Sequence, residues 1–192
     1  MKYDAIEYML DGNWFSDYGQ SMRDNERQID AHIFWKKSIE CYEKGLALLS
    51  KTKMSDTDKN FGLRMQNRLY HSKNIESVLY KYLVDKAKTT EPKEDAVSQY
   101  NHNFLCGYVC AEQMDRFDTV DKELEWLGYA IDFYSTAVDI YNNASDSEKF
   151  AIREKSLSLE PAENFLYASQ AKFKCLDAYL ESQAGDNGFE SK

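Results

Sequence analysis

Leu69-Tyr70-His71-Ser72, six residues, then Leu79-Tyr80-Lys81-Tyr82-Leu83 spell the pattern L-Y-x-S-x6-L-x-x-Y-L. The pattern returns as Leu166-Tyr167-Ala168-Ser169, six residues, and Leu176-Asp177-Ala178-Tyr179-Leu180. Six positions agree without a gap, which chance seldom supplies in a chain of 192 residues. Such a repeat speaks of architecture first and predicts that one half of the chain is a diverged copy of the other. On a helix, Leu69, Ser72, Glu76, Leu79 and Leu83 share one face, because they are spaced by three and four. The motif is thus the core stripe of a helix, with its tyrosines on the flanks.

Other echoes lie outside this stretch. Asp95-Ala96-Val97 follows Asp4-Ala5-Ile6 at an offset of 91, and Val120-Asp121 follows Ile29-Asp30 at the same offset. Ile131 and Tyr134 match Ile39 and Tyr42 at 92, and the opening motif matches at 97. About five residues are therefore inserted before the last helix, between Asn142 and Pro161. There Ser145-Asp146-Ser147-Glu148 is a helix-cap signal, and Pro161 suits the first turn of a restarted helix.

Two prolines and eight glycines among abundant Glu, Lys, Leu, Ala and Gln predict helix throughout. The first helix spans about Asp4 to Arg23, with Ile6, Met9, Leu10, Trp14 (or Asn13), Tyr18 and Met22 as its apolar stripe, weakened by Gly12 and Gly19. Arg23-Asp24-Asn25-Glu26-Arg27 is the turn. A second helix covers about Ile29 to Lys51, with Phe34 or Trp35, Ile39, Tyr42, Leu46 and Leu49 in a stripe. Met54-Ser55-Asp56-Thr57-Asp58 is cap chemistry before a third helix, about Asp58 to Lys86. Ala87 to Asp95 is polar, holds Pro92 and reads as the linker. The fold class is all-α, as two tandem three-helix bundles related by internal duplication. The first unit is 1–88, the linker 89–94 and the second unit 95–184. Ala184-Gly185-Asp186-Asn187-Gly188 ends the last helix, and 185–192 is a flexible tail.

A formal charge of −9, with acidic and basic residues interspersed, argues against nucleic acid and suits partners carrying Lys or Arg. No apolar run approaches the ~20 residues of a membrane span, and the N-terminus lacks a signal-peptide pattern. Cys41, Cys106, Cys110 and Cys175 read as buried thiols of a reducing, cytoplasmic chain.

His102, Cys106 and Cys110 align on a helix as three prospective zinc ligands. No fourth ligand is evident, and Phe104, Leu105, Tyr108 and Val109 are the company of a core. His32 and His71 lie in polar helical surroundings without a partner nucleophile. No G-x-S-x-G, P-loop or H-E-x-x-H occurs. The expectation is a non-enzymatic chain with no cofactor and no metal. Tyrosine, present fourteen times, is the more informative residue. Tyr70, Tyr80, Tyr82, Tyr167 and Tyr179 either cover the edges of small cores or line a groove for an amphipathic peptide.

Ser38-Ile39-Glu40-Cys41-Tyr42-Glu43-Lys44-Gly45-Leu46 and Ala130-Ile131-Asp132-Phe133-Tyr134-Ser135-Thr136-Ala137-Val138 both resemble the second-helix pattern A-[IV]-x-x-Y-x-x-[AG]-[LV] of MIT (microtubule-interacting and trafficking) domains. Leu63 to Leu83 and Pro161 to Leu180 resemble the family's final helix. Tetratricopeptide repeats share the rhythm but recur every ~34 residues, against about 91 here. The resemblance is to tandem MIT regions such as that of autophagy-initiating kinases. It implies that grooves beside the third helix bind MIT-interacting motifs carried by an autophagy regulatory subunit or an ESCRT-III tail. It also implies recruitment to membranes through partners without direct insertion, and either an adaptor or a chain cut from a larger protein such as a kinase. Under it, Tyr70, Lys73, Ser77 and Tyr80 in the first unit, and Tyr167, Gln170, Lys174 and Asp177 in the second, are the partner-binding residues. The competing readings are another helical adaptor, tetratricopeptide or 14-3-3-like, and a metal-binding helical protein.

Overall fold

The computed structural model describes residues 2–51, 56–114, 116–117 and 119–186. Among them it has seven helices and no strand: α1 (Lys2–Asp24), α2 (Gln28–Ser50), α3 (Asp56–Thr89), α4 (Ala96–Met114), α5 (Val120–Asn143), α6 (Asp146–Lys155) and α7 (Ala162–Asp186). They group into two compact units, Met1–Asp85 and Lys86–Lys192. The division falls inside α3, whose last turn runs to Thr89, so the polar connection after it is shorter than Ala87 to Asp95. Met54 and Ser55 of the cap before α3, and the tail beyond Asp186, lie outside the described residues. The last helix continues through Ala184 and Gly185 to Asp186.

In the first unit α1 and α2 form a hairpin, and α3 packs on both. The turn is a helix C-cap in which the Arg27 N–H donates to Met22 O (2.9 Å) and the Glu26 N–H to Arg23 O (3.1 Å). Glu26 takes the left-handed conformation, φ 61°, that this cap requires and glycine normally fills.

The inward face of α1 keeps part of the apolar stripe expected of it, since Met22 is buried and Met9 and Tyr18 pack against the core, but departs from it at Leu10 and Trp14. Ala5, Gly12, Ser16 and Gly19 are buried, whereas Leu10 and Trp14 are 58% and 56% exposed. The reason is steric. A Cβ on Gly12 would lie 2.6 Å from Cε1 of Tyr42, and one on Gly19 would lie 3.1 Å from the Trp35 ring. Small residues let α1 close onto two large rings of α2. The buried face of α2 is accordingly Trp35, Ser38, Tyr42, Gly45 and Leu49, with Ile39 and Leu46 half-buried at its edge.

α3 contributes Met65, Ser72, Leu79 and Leu83 to the interior. Each apolar side chain so enclosed contributes roughly 1.5–3 kcal/mol. Ser38 and Ser72 meet at 3.2 Å between hydroxyls, where small side chains permit close approach of α2 and α3. His32 is fully buried, which the polar residues around it in sequence concealed, and its Nε2 lies 2.9 Å from Glu76 Oε1.

The second unit packs α4, α5 and α7 in a comparable way and adds α6 within the insertion. Its Tyr134 is fully buried against Gly107, where a Cβ would lie 2.7 Å from the ring. Leu166 and Ser169 of α7 are buried, with Phe173 and Leu176 half-buried below them. α6 begins with a capping box: the Ser145 N–H donates to Glu148 Oε2 (2.8 Å) and the Glu148 N–H to Ser145 Oγ (3.4 Å). The segment after α6 is held to α4. Asn101 Nδ2 donates to Lys155 O, its Oδ1 accepts from the Leu157 N–H, and the Tyr100 hydroxyl accepts from the Ala162 N–H.

Candidate functional site

The residues singled out beside α3 are not all on the surface. Tyr70 is 70% exposed, and Lys73 and Ser77 are exposed. Lys73 pairs with Glu43 of α2 at 2.6 Å, an exposed contact worth at most about 1 kcal/mol. Tyr80 is 6% exposed, with its ring centroid 5.4 Å from that of His32. It belongs to the interior, because its position on the helix lies nearer the core stripe than the other three. Tyr80 therefore offers no surface to a partner.

A groove of about 590 Å³ runs along the opposite flank of α3. Its wall on α3 is His71, Asn74, Ile75, Val78, Leu79 and Tyr82, and it faces Arg23 and Gln28 at the α1–α2 turn. Val78 is 71% exposed although nothing polar about it favours water, and Gln28 Nε2 reaches the Tyr82 hydroxyl at 3.3 Å. None of Tyr70, Lys73, Ser77 and Tyr80 lines it. The signal for it was present in sequence: Ile75, Val78 and Tyr82 are spaced by three and four, a second apolar row beside the core stripe. Leu63, also exposed, lines a shallower hollow of about 660 Å³ between α2 and α3 with Leu46 and Ala47.

In the second unit Tyr167, Lys174 and Asp177 are exposed and Gln170 is half-buried. The Tyr167 hydroxyl donates to Glu163 Oε1 at 3.2 Å. Glu163 in turn lines a cavity of about 410 Å³ at the head of α7. Its walls are Tyr100 of α4, Val138 and Tyr141 of α5, Ile152 of α6, and Leu159 and Pro161 of the segment that follows. Arg153 covers Tyr141, with its guanidinium 5.6 Å from the ring centroid and Nε donating to the hydroxyl at 2.6 Å. The insertion between α5 and α7 builds two walls of this cavity.

His102 Nε2 and Cys106 Sγ approach to 3.6 Å, while Cys110 is buried one turn on. Burial raises the Cys106 thiol and pushes Cys110 up to about 11, so both stay protonated at neutral pH and neither is an activated nucleophile. Among the described residues no three His, Cys, Asp or Glu side chains converge as metal ligands. The four thiols were expected to be buried, but Cys41 and Cys106 are half-buried and Cys175 is exposed on α7.

Among the described residues no helix is long and apolar enough to cross a membrane. Compared with known proteins, the chain matches no family model, no curated protein and no solved structure.

Proposed function

We propose that the chain is a protein-interaction module built from two MIT-like units, which holds short amphipathic motifs of a protein partner beside the third long helix of each unit. The observation that carries this reading is the groove along α3, where Ile75, Val78 and Tyr82 form an apolar row with Arg23 and Gln28 opposite. An amphipathic segment laid in such a groove presents anchors at i, i+3, i+4 and i+7. In the second unit the motif is held at a different level of the third long helix, in the cavity at the head of α7 beside Tyr167.

Internal duplication is supported by shared devices. Each unit buries one tyrosine of its second helix against a glycine of its first, Tyr42 on Gly12 and Tyr134 on Gly107. Each also buries the serine of the third-helix motif, Ser72 and Ser169. Two sites on one chain make the second contact intramolecular, which raises avidity by about 10²–10⁴ when one partner carries both motifs. The partner class is an autophagy regulatory subunit or an ESCRT-III tail, met in the cytoplasm, with no catalytic step, no cofactor and no nucleic acid.

The test is titration of the full chain with MIT-interacting peptides, with Val78→Asp as the variant. Val78 is exposed, so helicity is unchanged, and affinity falls at least about tenfold if the groove is the site. Unchanged affinity in Val78→Asp sinks the assignment to this groove.

A further inference from the structure

α1 turns its small residues inward and leaves large ones outside. Leu10 and Trp14 lie on the side of the helix opposite Ala5, Gly12, Ser16 and Gly19, each more than half exposed. Trp14 is not a loose surface ring. It stacks on Tyr18 (5.2 Å between centroids, planes at 7°) and meets Phe15 and Phe34 edge-on at 5.1 and 6.3 Å. Lys37 of α2 lies 5.2 Å from the Phe34 centroid. The aromatic neighbours fix the indole, so little side-chain freedom remains to be lost on binding. Exposed apolar surface of this kind, centred on Trp and Tyr, has the composition of an interface core.

Charge says what covers it. From Asp4 to Met22 every charged side chain of α1 is acidic and exposed: Asp4, Glu7, Asp11 and Asp17. Glu7, Asp11 and Asp17 border Leu10 and Trp14 at helical spacing. A second copy of the same face would bring acid against acid, and an anionic bilayer would be repelled likewise. A basic helix is attracted along the α1 side of the face, with Lys37 only at its Phe34 edge. The second unit lacks the arrangement. Trp126, at the position of Phe34, stacks on Phe117 at 5.8 Å, but α4 carries no charged residue before Glu112, and Leu105 and Val109 are buried.

We propose that the outer face of α1, with Phe34 of α2, docks a basic amphipathic helix of a protein partner. Its apolar side chains cover Leu10, Trp14, Tyr18 and Phe34, and its Lys or Arg side chains meet Glu7, Asp11 and Asp17. This surface is separate from the α3 groove and goes beyond that reading of function.

The experiment titrates the full chain calorimetrically with a designed amphipathic peptide of about 18 residues, five turns of helix, with Leu and Phe on one face and Lys on the other. The same peptide with Glu for Lys is the control. The Lys peptide binds, the Glu peptide binds at least about tenfold more weakly, and affinity falls as salt is raised from about 50 to about 300 mM. Trp14→Ser and Leu10→Ser each weaken binding about tenfold with an unchanged melting curve. Asp11→Lys combined with Asp17→Lys inverts the preference between the peptides, while Val78→Asp leaves it intact. The proposal is overturned if the Lys peptide fails to bind, if both peptides bind alike, or if Trp14→Ser and Leu10→Ser bind as the parent does. Sensitivity to Val78→Asp in place of Trp14→Ser would put the peptide in the α3 groove. Trp14-dependent binding to vesicles with about one-third anionic lipid, without peptide binding, would make the face a membrane contact instead.

Discussion

Tyr42 and Tyr134 hold matching places in their units yet differ at the hydroxyl. Tyr42 donates to Asn13 Oδ1 at 2.8 Å, whereas the buried Tyr134 hydroxyl has no hydrogen-bond partner among the described residues. Burial raises the pKa of both, and holds that of Tyr134 well above its ordinary value. Replacing each by phenylalanine therefore gives opposite results in chemical denaturation. Tyr42→Phe loses a bond and strands the Asn13 side chain, a loss of about 0.5–1.5 kcal/mol, while Tyr134→Phe removes an orphaned polar atom and gains up to about 1 kcal/mol. The glycines beneath these rings carry a second prediction. Gly12→Ala or Gly107→Ala forces a Cβ into a tyrosine ring at 2.6 or 2.7 Å, lowering stability by about 1–3 kcal/mol in the same measurement. The sequence displayed the tyrosines, through their shared spacing, but concealed the glycines. A glycine in a helix reads as a weakness until the ring that needs its space is located.

Among the elements, the termini of helices were the most legible and the orientation of α1 the least. Ser145 and Glu148 were legible as a cap, because a capping box is a local chemical arrangement that needs no tertiary partner, but the helix it starts, α6, is a fourth element where three were expected in the unit. The Glu148 carboxyl is held below its ordinary pKa by hydrogen bonds from the Ser145 hydroxyl and N–H. A depressed carboxylate pKa contributes stability that is present above the unfolded-state value and lost as pH falls through the folded one. Helix α6 therefore keeps its first turn at neutral pH and loosens on acidification below the usual glutamate range, as carbonyl-carbon NMR of Glu148 and amide exchange of α6 would record. A midpoint at or above the ordinary glutamate value contradicts this. At the α1–α2 turn, Glu26 occupies a left-handed position suited to glycine. Glu26→Gly relieves that backbone conformation and raises stability by about 0.5–1 kcal/mol in a thermal melt. The face of α1 was legible at Met9, Tyr18 and Met22 but not at Leu10 and Trp14, because hydrophobic periodicity weights large side chains, whereas close helix packing here selects Ala5, Gly12, Ser16 and Gly19. The same bias places Leu10 and Trp14 outside, where they need another explanation.

For the whole molecule, the repeat read from L-Y-x-S-x6-L-x-x-Y-L located the buried stripes of α3 and α7, since Ser72, Leu79, Leu83, Leu166 and Ser169 are all interior. What periodicity does not carry is which flank of that stripe is concave. That depends on where α1 and α2 stop, and the groove opens beside Arg23 and Gln28 because the hairpin turn lies there. Tyr70, Lys73 and Ser77 sit on the other flank, with Lys73 engaged by Glu43. The cavity of the second unit was equally hidden, since the insertion that walls it reads only as a cap and a proline. The central claim, that a partner motif lies in the α3 groove, is tested most directly by amide chemical-shift mapping of the full chain with a bound MIT-interacting peptide. Shifts are expected to concentrate at Arg23, Gln28, His71, Ile75, Val78 and Tyr82, with Tyr70, Lys73 and Ser77 unmoved. Shifts centred on Tyr70 and Lys73, or none in the first unit, would contradict it.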